Sequence, residues 1–176
     1  MLDLKDHIRT IPDFPKPGIM YRDITTLLSH PAALKQSVLD LSAPFKDSQI
    51  ELVAGIDARG FIFGTPVALA LGAGFIPIRK KGKLPFKTFE QDYALEYGTD
   101  TLQIHADAVS KGQRVLLIDD LIATGGTAEA AIKLLRRTEC DIVGAGFIIN
   151  LPDLDGSIKI QSMGVPVTSL VEFSGH

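Results

Sequence analysis

Short apolar runs alternate with helix-forming runs along most of the chain, and that rhythm fixes the fold class. Residues 51–56 (ELVAGI), 74–79 (GFIPIR), 113–119 (QRVLLID), 141–151 (DIVGAGFIINL) and 165–173 (VPVTSLVEF) read as strands. Residues 61–72 (FIFGTPVALALG) and 127–138 (TAEAAIKLLRRT) read as helices, the first closed by Gly72. The strands are apolar on both faces, which suits a parallel sheet covered by helices on both sides. The expected class is therefore α/β, a twisted and mostly parallel sheet flanked by helices.

Two regions break the rhythm. Residues 2–11 read as a short amphipathic helix, after which PDFPKPG stiffens a loop. A helix then starts near Pro31, a residue suited to a first helical turn, and ends at Pro44. Residues 80–112 are long, polar and only loosely strand-like, as expected of a functional flap, and 92–98 could pair with 99–106 as a hairpin. No repeat or linker divides the chain, so one domain over 1–176 is expected, with 1–30 as a hood and 80–112 as a flap.

Composition excludes several classes. Apolar residues at 45% and charged residues at 22% describe a globular chain, and a net charge of -3 argues against a general nucleic-acid binder. The N-terminus carries charges throughout and has no apolar signal core, and no apolar run approaches the ~18 residues a membrane span needs. A cytosolic protein is expected. The single cysteine, Cys140, forms no intramolecular disulfide and reads as a small core residue rather than a catalytic thiol. The four histidines do not cluster in sequence, and no HExxH, GxGxxG, GxSxG or Walker pattern is complete.

The chemistry concentrates in VLLIDDLIATGGT. An aliphatic strand runs into two carboxylates, Asp119 and Asp120, and then into a Thr124-Gly125-Gly126-Thr127 turn before a helix. Ligands of an open parallel sheet bind at the C-terminal ends of its strands. The glycines allow close backbone approach, and the free amides and dipole of the helix start favour an anion. Carboxylates instead accept from hydroxyls or attract metal ions. A phosphate beside sugar hydroxyls is a ribose 5-phosphate, and one strand-turn-helix reads both halves of it.

This stretch resembles the signature of type I phosphoribosyltransferases, and its IDDLIATGGT form is similar to that of the adenine phosphoribosyltransferases. The resemblance extends through FPKPGIMYRDIT (14–25), GIDARGFIFG (55–64), RKKGKLP (79–85) and ALEYG (94–98). It implies the fold of that family and transfer of the 5-phosphoribosyl group from phosphoribosyl pyrophosphate (PRPP) to N9 of adenine, giving AMP and pyrophosphate. It also implies magnesium held mainly through PRPP, with no direct protein ligand, and a homodimer.

The same resemblance carries residue roles. Ala123, Thr124, Gly125, Gly126 and Thr127 would bind the 5-phosphate, and Asp119 and Asp120 the ribose hydroxyls. Asp57, Ala58 and Arg59 would face the pyrophosphate, in the family often across a non-proline cis peptide, here Asp57–Ala58. Arg79, Lys80 and Lys83 are further pyrophosphate candidates, some reaching across a dimer. Met20, Tyr21, Arg22 and Leu121 would form the adenine pocket, with the Tyr21 ring packing on the base where the family more often has Phe. Glu96, on the flap, would handle the proton on N7, and Arg59 is the second catalytic candidate. Two alternatives stay open: the same fold acting on another base, or a non-catalytic PRPP-sensing regulator.

Overall fold

A computed structural model describes residues 2–95 and 98–175. A 3-10 turn over Leu4–His7 leads into β1 (Arg9–Pro12), which pairs antiparallel with β2 (Met20–Asp23) as a small separate sheet. The amphipathic helix expected over 2–11 is thus replaced. The Arg9↔Asp23 to Pro12↔Met20 register supplies backbone partners that local periodicity cannot reveal. Two helices follow, α1 (Thr25–Leu28) and α2 (Pro31–Ser42), and Pro31 opens α2 as the sequence suggests. His30 caps α2, its Nδ1 accepting from the Ala33 N–H at 3.2 Å.

The remaining elements are β3 (Leu52–Ile56), α3 (Arg59–Leu71), β4 (Gly74–Lys80), β5 (Thr88–Ala94), β6 (Thr99–His105), β7 (Arg114–Ile122), α4 (Gly126–Arg136), β8 (Asp141–Asn150), α5 (Gly156–Ser162) and β9 (Val167–Glu172). Seven strands form one sheet in the order β5-β6-β4-β3-β7-β8-β9. The five core strands are parallel, while β6 runs antiparallel to β4 and to β5. The hairpin expected in the flap is present as β5–β6, with its first strand starting earlier than expected, at Thr88, and ending at Ala94. It is not a detached excursion, because Arg79↔Gln103 and Lys80↔Leu102 join it to the central sheet.

Alternation along β7 builds two cores. Val115 and Leu117 pack toward Ala131, Ile132 and Leu135 of α4 and Ile160 of α5. Leu116 and Ile118 face the other way, toward Leu41 of α2 and Phe63 and Val67 of α3. All of these side chains are essentially inaccessible to water, so each face drives burial of its own helix layer. Among the described residues no helix is long and apolar enough to cross a membrane.

One strand boundary differs from the sequence reading. β7 does not stop at Asp119: its pairing with β8 continues to Ile122↔Asn150, so both acids lie inside the strand. Two of the four histidines, His7 and His30, meet with ring centroids 4.3 Å apart, and among the described residues no group of three or more His, Cys, Asp or Glu side chains could hold a metal. Cys140 is half-buried, donates to the Leu135 carbonyl at 3.4 Å, and has its thiol pushed up in pKa by burial, as suits a packing residue.

Candidate active site

The chain leaves β3 toward β4 on one side and β7 toward β8 on the other, so a crevice opens at the C-terminal ends of β3 and β7. A cavity of about 360 Å³ occupies it, lined by 56–59, Lys80, Tyr93, Leu95 and 119–128. The acid pair forms its floor. Asp120 is buried, and its N–H donates to Asp119 Oδ1 at 2.9 Å. Burial, and then the neighbouring Asp120 charge, pushes the Asp119 carboxyl well above the usual carboxylate range. Burial also raises Asp120, with Arg59 opposing the shift.

The turn after β7 is built for an anion. Gly125 caps α4 in the left-handed region at φ 78°, with no side chain capping the first amides of the helix. A contact the sequence did not announce supports this turn from behind. The Gly156 N–H at the start of α5 donates to the Ala123 carbonyl at 3.1 Å. A Cβ on Gly156 would lie 2.2 Å from that oxygen and 2.7 Å from the Gly125 nitrogen.

Opposite, the Asp57–Ala58 peptide is cis. Arg79 Nε donates to Asp57 Oδ2 at 3.1 Å, and its guanidinium lies 5.9 Å from the Phe61 ring. Lys80 lines the cavity and pairs with Asp100 at 3.1 Å. Arg79 and Lys83 are not among the lining residues. Tyr93, also missed from sequence, lines the cavity and donates to Asp100 Oδ2 at 3.2 Å. Burial and the Asp100 charge push its phenol up to about 12, so it is a neutral donor at any working pH.

A second cavity of about 620 Å³ adjoins the first and is lined by 17–22, Arg59, Leu121, Ala123, Thr124, Leu151 and Leu154. Met20, Tyr21, Arg22 and Leu121, the four base-pocket candidates, are gathered there. The Phe14 ring meets Tyr21 edge-on at 5.2 Å. Arg22 is held away by Thr10 Oγ1 at 2.6 Å and the Ser174 carbonyl at 3.3 Å, and lies over the Phe173 ring. Ser174, given no role from sequence, thereby ties the C-terminal segment to the hood. Leu151 and Leu154, a wall absent from the sequence reading, follow β8 and carry only the signal of an apolar pair beside a proline.

Arg59, Leu121, Ala123 and Thr124 line both cavities. Arg59 does not stand in the cavity as a free cation. Its Nε lies 3.0 Å from Asp120 Oδ2, and its Nη1 donates to the Tyr21 hydroxyl at 2.9 Å. The first contact is an ion pair and not an aligned hydrogen bond, since Asp120 Oδ2 is buried without an aligned donor. Glu96 lies outside the described residues.

Comparison with known proteins agrees with this geometry. Residues 24–159 match the phosphoribosyl transferase domain family. An adenine phosphoribosyltransferase of Rhodopseudomonas palustris (strain HaA2) is 59% identical over 99% of this chain and 96% of its own. The crystal structure of the adenine phosphoribosyltransferase of Rhodothermus marinus aligns with a TM-score of 0.90 at 49% identity, covering 97% of this chain and 96% of that one. The Giardia lamblia enzyme, solved with 9-deazaadenine, aligns with a TM-score of 0.92 at 35% identity, covering 98% of this chain and 99% of its own. With its match to the family spanning most of the length and its relatives matched end to end, the chain belongs to the phosphoribosyl transferase family, on the adenine phosphoribosyltransferase branch.

Proposed function

We propose that the protein transfers the 5-phosphoribosyl group of PRPP to N9 of adenine, forming AMP and releasing pyrophosphate. The observation that carries this reading is the adjacency of two unlike cavities. One holds an acid pair and an anion-binding turn; the other is largely apolar and roomy enough to admit a purine; Arg59, Leu121, Ala123 and Thr124 belong to both. A bond formed between their occupants would be the bond from a base nitrogen to ribose C1.

In this reading Ala123–Thr127 fix the 5-phosphate, remote binding energy that can be used to stabilise the transition state. Asp119 and Asp120 accept from the ribose hydroxyls and face the positive charge that grows at C1 as its bond to pyrophosphate breaks. Asp57, Ala58 and Lys80 face the leaving group, with Arg79 holding Asp57 from behind and Lys83 available at an assembly contact. Leu121 and the Tyr21 ring pack on adenine while backbone groups near Met20 and Arg22 read its edge. Glu96 handles the N7 proton as N9 attacks.

Magnesium fits as a partner of PRPP. Asp119 and Asp120 offer the hard oxygen donors it takes, but Arg59 already stands 3.0 Å from Asp120 Oδ2, which leaves the ion few protein ligands. Bound to PRPP, it would neutralise charge on the departing pyrophosphate. A homodimer and a cytosolic setting belong to the same reading. The exposed side of α3 is apolar at Ile62 and Leu69, a surface a second copy would cover.

The test is AMP formation from PRPP and Mg²⁺, with adenine, hypoxanthine, guanine, xanthine and orotate in parallel, for the parent and Glu96→Ala. Turnover of adenine alone, with a fall of ~10²-fold in the variant, is expected. Turnover of another base overturns the base assignment. PRPP binding with no turnover overturns the enzyme reading in favour of a sensor.

A further inference from the structure

The two cavities meet at one side chain, and that side chain is held from both. Arg59 is a long, half-exposed residue at the start of α3, and Asp120 beside it is almost wholly buried. The contact between Arg59 Nε and Asp120 Oδ2 is close at 3.0 Å but lacks hydrogen-bond alignment. Attraction alone does not fix the orientation of a guanidinium with open space beside it. The second anchor does: Arg59 Nη1 donates to the Tyr21 hydroxyl at 2.9 Å.

Tyr21 is itself well held. Its backbone is paired in register with Ile11 across the small sheet, and the Phe14 ring packs edge-on against its own. The phenol oxygen is thus a fixed acceptor on the wall of the base cavity, aimed at a cation that serves the ribose cavity.

We propose that the Tyr21 hydroxyl is a positioning group for Arg59, holding the guanidinium on Asp120 so that a base-cavity residue sets the affinity for PRPP. The inference rests on the reading of the two cavities as ribose-phosphate and base sites. It separates the two parts of one side chain. The ring packs against the base, while the hydroxyl acts through Arg59 on the other substrate. Held on Asp120, the guanidinium directs its charge at a carboxylate and not at C1, where positive charge must grow.

Tyr21→Phe keeps the ring and deletes the hydroxyl, so steady-state kinetics with each substrate varied separates the two roles. The expected result is a rise of about fivefold in KM for PRPP, the scale of one such hydrogen bond, with KM for adenine changed by less than about twofold. Arg59→Lys removes the group the hydroxyl acts through, and in that background Tyr21→Phe adds less than about twofold. All variants are compared below their melting transitions, which circular dichroism locates. A change in KM for adenine alone, equal changes in both KM values, or full additivity with Arg59→Lys overturns the proposal. A parent protein that forms no AMP overturns the underlying reading instead, and the two failures are distinct.

Discussion

Arg79 Nε lies 3.1 Å from Asp57 Oδ2, so a cation of the basic run is engaged with the turn that carries the cis peptide. Asp57 is mostly buried and Arg79 about two-thirds so. Removing the guanidinium leaves a largely buried carboxylate without its partner. Arg79→Met is therefore expected to lose about 1–3 kcal/mol in urea unfolding, and Asp57→Asn in the same chain to recover part of it. Unchanged stability in Arg79→Met would show that the pair is merely a surface contact.

Asp119 is expected to trade stability for function. Its pKa is raised in the fold, first by burial and then by Asp120. A raised carboxyl favours the protonated form, so its contribution is full below the ordinary value of ~3.9 and is lost as pH climbs through the folded value. Asp119→Asn removes that loss. Its melting temperature should exceed the parent's at pH 8 and approach it near pH 4, while kcat/KM falls at least ~10-fold. A melting difference that does not vary with pH contradicts the assignment of burial as the cause.

Gly156 has no room for a side chain. A methyl there meets the Ala123 carbonyl oxygen at 2.2 Å and must push the turn between β7 and α4 forward or α5 back. Gly156→Ala should raise KM for PRPP by ~10-fold or more, leave KM for adenine nearly unchanged, and cost about 1–3 kcal/mol in stability. Normal PRPP kinetics in this variant would mean that α5 yields and the turn does not depend on it.

Leu69 is 77% exposed on the same side of α3 as Ile62. If a second copy covers this face, Leu69→Lys should shift the sedimentation coefficient toward that of a monomer at micromolar concentration. Its far-ultraviolet dichroism should match the parent's. A parent that is already monomeric removes the α3 argument altogether.

The sheet and its helices were legible because burial writes itself into the sequence with a period. Val115 to Ile118 alternate between two cores, and Ala131, Ile132 and Leu135 recur on one face of α4. The glycine turn between β7 and α4 was legible because adjacent glycines at a strand-to-helix junction have few other uses. What depended on distant partners was hidden. Arg9–Pro12 looks helical until Met20–Asp23 pairs with it, and the apolar run of β7 ends before its hydrogen bonds to β8 do. Tyr93, Asp100 and Gly156 lie far along the chain from the turn and the lysine they serve. The basic run suggested several free cations, yet Arg79 and Lys80 each already face a carboxylate.

The β5–β6 hairpin is fastened to the sheet at Arg79↔Gln103 and Lys80↔Leu102, and Gln103 also bonds the Gly82 N–H and Glu90. Its attachment is thus the same short piece of β4 that delivers Lys80 to the cavity. A cover mounted in this way cannot swing without tugging on the charge beneath it. Any displacement of the hairpin would then be carried to Lys80, and a probe on the hairpin would report on the cavity as well.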